Sequence, residues 1–308
     1  MRRLAVVLVL VLAGTVWPAA GGLADRSTTT QAAEGLQADF NNDGFADLAA
    51  GASLEDFGTT RDAGTVSVLR GSAAGLTIAG GQLFGQVGDA AEPDDLFGFA
   101  LASGDFNNDG FGDLAAGAAE DAGSLVDAGA VSALYGSAEG LSTAIGQTFF
   151  TQVGGGAIEA GDLFGWSLAS GDFDNDGFDD LGVGIPFEDT AARENAGALG
   201  VLDGSPDGLI ADTGQLFTQA AGTVEADDLF GFAVASGDFD ADGFADLAVA
   251  APFEDVGARI DAGACGALYG VAGGLGLAGA QQFTQDSGGV PGTAETGDFF
   301  GGAVAVGD

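Results

Sequence analysis

The stretch Asp39-Phe40-Asn41-Asn42-Asp43-Gly44-Phe45-Ala46-Asp47 decides how this chain is read, because it returns as Asp105 to Asp113, Asp172 to Asp180 and Asp238 to Asp246. The intervals are 66, 67 and 66 residues, so whole structural units recur and not isolated motifs. Upstream of the later loops stand Leu96-Phe97-Gly98, Leu163-Phe164-Gly165 and Leu229-Phe230-Gly231, with Phe299-Phe300-Gly301 near the end. Downstream come Gly51-Ala52, Gly117-Ala118, Gly184-Ile185-Pro186 and Ala250-Ala251-Pro252, each running into a Glu-Asp pair. A third element follows, as in Gly64 to Gly71 or Gly129 to Gly136, and a fourth carries Gln82 to Phe84, Gln147 to Phe149, Gln215 to Phe217 or Gln282-Phe283.

Each run is short, rich in Val, Leu, Phe and Ala, and bounded by Gly, Asp or Ser, which is the pattern of a β-strand. Helical periodicity is absent after the first residues. Four short strands per unit is the make-up of a propeller blade, and Gly and Ala suit strands crowded near a central axis. The expected fold is therefore all-β, a β-propeller with four full repeats and the start of a fifth. Phe97-Gly98 through Gly117-Ala118, and more fully Phe230-Gly231 through Ala251-Pro252, resemble FG-GAP repeats, the blades of the integrin α-subunit propeller and its bacterial relatives. That resemblance covers nearly everything from Asp39 to Asp308. It departs in the first two units, where Ser53 and Ala119 replace the Pro, and in the first, which lacks a Phe-Gly before its loop. The family usually closes seven blades, which makes the chain a candidate fragment of a longer array.

Hard divalent cations prefer a ring of oxygen ligands, and a loop turned by Gly with acids or amides at every second position provides one. In the first loop Asp39, Asn41, Asp43 and Asp47 hold positions 1, 3, 5 and 9, with the Phe45 carbonyl at position 7. The equivalents are Asp105, Asn107, Asp109, Phe111 and Asp113; then Asp172, Asp174, Asp176, Phe178 and Asp180; then Asp238, Asp240, Asp242, Phe244 and Asp246. An EF-hand needs Glu at position 12, where this chain has Ala50, Ala116, Val183 and Val249, so the loops join strands and not helices. Calcium is the expected cofactor, one ion per loop and four in all. Magnesium, which keeps most of its waters, fits such a ring less well.

Charge points the same way. The 308 residues include 46 acids, seven bases that are all Arg, and no His, for a net charge of −39. Histidine triads, Lys Schiff bases and His-ligated zinc are excluded. So is any ordinary nucleic-acid or anionic-membrane surface. Fourteen of the acids occupy loop ligand positions, three in each of the first two loops and four in each of the last two. Like charges at that spacing repel unless a cation lies among them. With only Cys265 there is no internal disulfide, which leaves packing and metal to fix the fold.

Residues 1–24 read as an export signal: Arg2 and Arg3, then an apolar run from Leu4 to Ala13 too short to span a bilayer. Cleavage fits Gly22-Leu23-Ala24, with Ala20 to Gly22 competing. Residues 25–38 would be a linker or a degenerate first strand, and 39–308 the repeats. The expected location is secreted or cell-surface, with no membrane insertion after cleavage and no nucleic acid as partner. The expected role is a non-catalytic adhesion or recognition module with a protein or glycan ligand. The resemblance implies that the ligand meets the face opposite the calcium loops. A propeller belonging to a longer secreted hydrolase, or an architectural surface or matrix protein, are the alternatives.

Weaker recurrent signals are the pairs Glu55-Asp56, Glu120-Asp121, Glu188-Asp189 and Glu254-Asp255, read as solvated turn acids or secondary cation contacts, and Asp62, Asp127 and Asp261, read as turn residues. Trp166, Tyr135 and Tyr269 admit a reading as a ligand-stacking surface, but Trp166 replaces Phe99 and Phe232 of other units, so packing is its favoured role. Cys265 reads as a small buried hydrophobe. The segment 300–306 admits two readings: the start of another blade, or a strand that closes a small ring by pairing beside residues 48–52.

Overall fold

The structure, a computed structural model, describes residues 38–307 apart from 87–90, 144–148, 151–152, 154–156, 158, 191–192 and 221. The expected signal segment 1–24 and residues 25–37 of the expected linker lie outside the described residues. Four antiparallel meanders follow one another in chain order. The first contains β1 (Leu48–Ala52), β2 (Thr65–Arg70) and β3 (Thr77–Phe84). The second contains β4 (Leu101–Gly104), β5 (Asp113–Ala118), β6 (Ala130–Leu134) and β7 (Phe149–Phe150). The third runs β8 (Ser167–Gly171), β9 (Asp180–Ile185), β10 (Ala198–Asp203) and β11 (Ile210–Phe217). The fourth runs β12 (Ala233–Gly237), β13 (Asp246–Ala251), β14 (Ala264–Val271) and β15 (Gly274–Phe283).

These are blades of the propeller type, and no helix is present among the described residues. The first blade has three described strands. β1 corresponds to β5, so the inner strand of that blade would precede Asp39, outside the described residues. Among the described residues β1 pairs with β2 alone. Residues 300–306 form no ladder with it. They lie against the fourth blade: a Cβ on Gly237 would meet Val306, and one on Gly263 would meet the Phe300 main chain. The strand-exchange reading is thereby corrected, because 300–306 takes the place that 97–104 takes relative to the first blade.

Blades stack face to face, and period-2 alternation sends side chains to both neighbours. Leu114, Ala116 and Ala118 of β5 enter a core with Val66, Val68 and Phe84 of the first blade, whereas Ala115 enters the next core with Leu181 and Val183. A third cluster joins Leu199 and Val201 of β10 to Leu247, Val249 and Leu268. Strands β5 and β9 are buried at every residue, while β1, with no blade described on its other side, is not. The Gly-Ala and Phe-Gly motifs are explained here. A Cβ on Gly184 would sit 2.0 Å from the Gly231 carbonyl oxygen, and Gly51 with Gly98 and Gly117 with Gly165 repeat the approach. Only glycine lets the main chains of consecutive blades touch there. The inner strands are linked by hydroxyls: Ser170 Oγ donates to the Ser103 carbonyl at 2.6 Å and Ser236 Oγ to that of Ser170 at 2.6 Å.

Candidate cation loops

The second, third and fourth acidic loops are hairpins between the inner strand and the next one out, as in β4 to β5, and the first leads into β1. The turn of each loop needs two left-handed residues. Gly44, Gly110, Gly177 and Gly243 at position 6 have φ of 87° to 96°. Position 4 is left-handed as well, at Asn42, Asn108, Asn175 and Ala241. Asn tolerates this conformation and Ala does so at a cost.

The first-position carboxylates fold the loop around themselves. Asp39 Oδ1 accepts the Asp43 N–H at 3.1 Å and its Oδ2 the Gly44 N–H at 2.7 Å; Asp105, Asp172 and Asp238 repeat both bonds. Position 5 accepts the N–H of position 7, as in Asp109 with Phe111 at 3.0 Å. The ninth-position carboxylates are buried and tie the loop to the blade. Asp180 accepts the Phe173 N–H at 2.9 Å and the Gly204 N–H at 2.8 Å, and Asp47, Asp113 and Asp246 do the same with their counterparts.

The residues fit a hard divalent cation. Carboxylate oxygens of Asp172, Asp174 and Asp176 lie within 4.8 Å of one another, as do those of Asp238, Asp240 and Asp246. Every donor is oxygen. In the first loop Asn41 Oδ1 is buried without a hydrogen-bond partner. An orphaned acceptor at a ligand position is what a cation would satisfy. Burial, with a contribution from neighbouring loop carboxylates, pushes Asp113 and Asp180 up to about 8, and raises Asp47, Asp105, Asp174 and Asp246 above the ordinary range. Charge gathered in this way is uncomfortable without a counterion. All twenty residues read from the sequence as ligands fall in these four loops, and the carboxylates found close together among the described residues are those of Asp172, Asp174 and Asp176 and of Asp238, Asp240 and Asp246.

The opposite end of each blade carries acids of a different kind. The second acid of each Glu-Asp pair closes a turn: Asp56, Asp121, Asp189 and Asp255 accept the N–H of Asp62, Asp127, Asn195 and Asp261 at 2.8–3.0 Å. The turn reading of Asp62, Asp127 and Asp261 fits their positive φ. The first acid differs between units: Glu55 is exposed, whereas Glu188 and Glu254 each meet an Asp that the sequence reading did not single out. Glu188 hydrogen-bonds Asp162, and Glu254 bonds Asp228. Burial first, then the partner's charge, raises Glu188 and Glu254 to about 7; burial also raises Asp228 to about 6. The available signal was the Asp before each Leu-Phe-Gly, at Asp95, Asp162 and Asp228.

At the same end a row of half-buried rings runs beside the strand ends. Trp166 lies 5.8 Å from Phe99, 5.6 Å from Phe232 and 6.0 Å from Phe187, and Phe253 continues the row to Phe299 at 5.0 Å. Tyr135 is in the core instead, its hydroxyl oxygen accepting the Leu209 N–H at 2.9 Å. Cys265 is half-buried where the sequence reading had it buried, and burial raises its thiol above the ordinary value.

Serial four-stranded blades with acidic inner hairpins define a propeller-type repeat protein. Comparison with known families makes this specific: the FG-GAP repeat matches residues 34–69, 97–134, 164–202 and 230–267, and the chain belongs to the FG-GAP repeat family, with an integrin-like domain. It is 35% identical over 156 residues to mouse phosphatidylinositol-glycan-specific phospholipase D, covering 49% of this chain and 18% of that protein. It is 30% identical over 184 residues to chicken integrin alpha-V, covering 56% and 15%, and 38% identical over 90 residues to Xenopus laevis integrin alpha-5, covering 29% and 8%. The chain thus spans less than a fifth of the length of these relatives. Among the described residues no helix is long and apolar enough to cross a membrane.

Proposed function

We propose that this is an exported, calcium-stabilised recognition module without catalytic activity of its own. The observation that carries the reading is the division of labour between the two blade ends. At one end fourteen acids occupy cation-ligand positions and rigidify the hairpins. At the other, the aromatic row Phe99, Trp166, Phe232, Phe253 and Phe299 offers partly exposed rings in the turns beside the strand ends. Half-buried aromatics flanked by polar turns are common at binding surfaces. Similarity to integrin α chains supports a protein or glycan ligand on that end, and an extracellular or surface location supplies the calcium. The mature charge of −41 would fall to about −33 with four ions bound.

The test is binding of the purified chain to arrayed glycans and matrix proteins with and without calcium. Trp166→Ala is expected to weaken capture about tenfold or more while leaving calcium binding intact. Retention of full capture by that variant, or turnover of esters, phosphoesters or glycosides by the chain, would overturn the reading. Similarity to a phospholipase D favours one second reading: the same domain serving as the non-catalytic part of a longer secreted hydrolase.

A further inference from the structure

Consecutive acidic loops are not separate hairpins. The carbonyl of Asp39 accepts the Gly112 N–H at 2.9 Å, that of Asp105 the Asp179 N–H at 3.1 Å, and that of Asp172 the Ala245 N–H at 2.9 Å. Each bond runs from the first-position ligand of one loop to position 8 of the next. Position 8 lies between the carbonyl ligand at 7 and the carboxylate ligand at 9. The second-position carbonyls extend the link, with Phe40 and Phe106 accepting the N–H groups of Ser137 and Ser205 in the next blade at 3.2 and 3.1 Å. Whatever fixes one loop therefore fixes two ligands of its neighbour.

One seam has an additional bond. Position 8 is Ala46, Gly112 or Ala245 in three loops and Asp179 in the third. Asp179 Oδ2 accepts the Asp105 N–H at 2.8 Å while its own N–H donates to the Asp105 carbonyl, so two residues hold each other reciprocally. Gly104 leaves the room: a Cβ there would sit 2.9 Å from Asp179 Oδ2.

We infer that the loops bind calcium cooperatively along the chain, and that Asp179, a positioning residue and not a ligand, makes the coupling between the second and third loops the strongest. This rests on the calcium reading proposed above. Ordering one loop removes part of the ordering cost of the next, which is positive coupling in its ordinary thermodynamic form.

Calorimetric calcium titration of the full chain is the test, on wild type and on a background with Asp43→Ala and Asp242→Ala that leaves the second and third loops. Wild type is expected to show a Hill coefficient above 1, and the two-loop background about fivefold or greater enhancement of the second ion by the first. Asp179→Ala should cut that enhancement at least threefold with two ions still bound, and Asp179→Asn, whose Oδ1 still accepts, should restore it. Independent sites in wild type, an unchanged isotherm in Asp179→Ala, or equal loss in Asp179→Asn would each overturn the coupling while the calcium reading stands. No calcium bound at all would overturn both.

Discussion

Both ends of each blade are acidic and repetitive, yet they use their carboxylates differently. In the hairpins of the inner strands, Asp172, Asp174 and Asp176 turn oxygens toward a common centre, and main-chain N–H groups fill only part of their lone-pair capacity. At the far end, Asp189 is absorbed by a turn and Glu188 by another carboxyl group. Recurrence of acids does not make a cation site. Convergence around a glycine turn favours one, whereas the far end sets its acids against each other, with burial and the Asp162 charge raising Glu188 to about 7.

The largest expected effect would break this contrast outright. Chelation should lower the melting temperature by about 20 °C, because several ion-filled loops lose their ligand together and each tight site is worth about 2.7 kcal/mol at a hundredfold excess over Kd. Scanning calorimetry with and without chelator checks it, and an unshifted transition would reduce the hairpins to plain acidic turns.

Next in size is a pH dependence of the metal-free protein. Asp113 and Asp180 sit at about 8 in the fold against an ordinary 3.8, and Glu188 and Glu254 at about 7 against 4.5. A raised folded value means that the fold binds protons the unfolded chain has released. That contribution is complete below the unfolded value and lost as pH climbs through the folded one. Metal-free protein should therefore lose melting temperature steadily between pH 4 and 8, and calcium should remove the part owed to the loops while leaving the part owed to the far end. A flat profile without metal would contradict the burial of these carboxyls.

A smaller effect isolates the far end. Glu188→Gln keeps a hydrogen-bond donor toward Asp162 and removes one of two facing acids, so it should stabilise by about 1 kcal/mol at pH 8 and by little at pH 5. Denaturant unfolding at the two pH values reads this directly. The smallest effect sharpens the loop end: Ala241 is left-handed where the other loops carry Asn, so Ala241→Asn should add about 1 kcal/mol without changing calcium stoichiometry. Loss of stability in that variant would show that the fourth turn differs from the other three.

Much of the fold was legible because its determinants are local. The loop pattern lies within nine residues, and the hairpins that join β4 to β5 and β8 to β9 follow from it. The Gly of Gly-Ala and the Gly of Phe-Gly were visible as motifs, but their reason was not, since Gly184 and Gly231 meet across two blades. The Asp162 and Glu188 pair was hidden for the same cause: the residues are far apart in sequence and are joined by antiparallel pairing of β8 with β9. Trp166 was read first as packing and second as a stacking surface, and its half-buried place among three Phe rings bears out the packing. The cross-loop role of Asp179 left no trace in the ligand pattern, because position 8 is outside it.

The most direct measurement is the number of calcium ions held by the purified chain in equilibrium dialysis near neutral pH. Binding of about four ions per chain with affinities tighter than about 1 mM, reduced by one in an Asp176→Ala variant, is the expected result. No saturable binding in that range would contradict the assignment of the four loops to calcium.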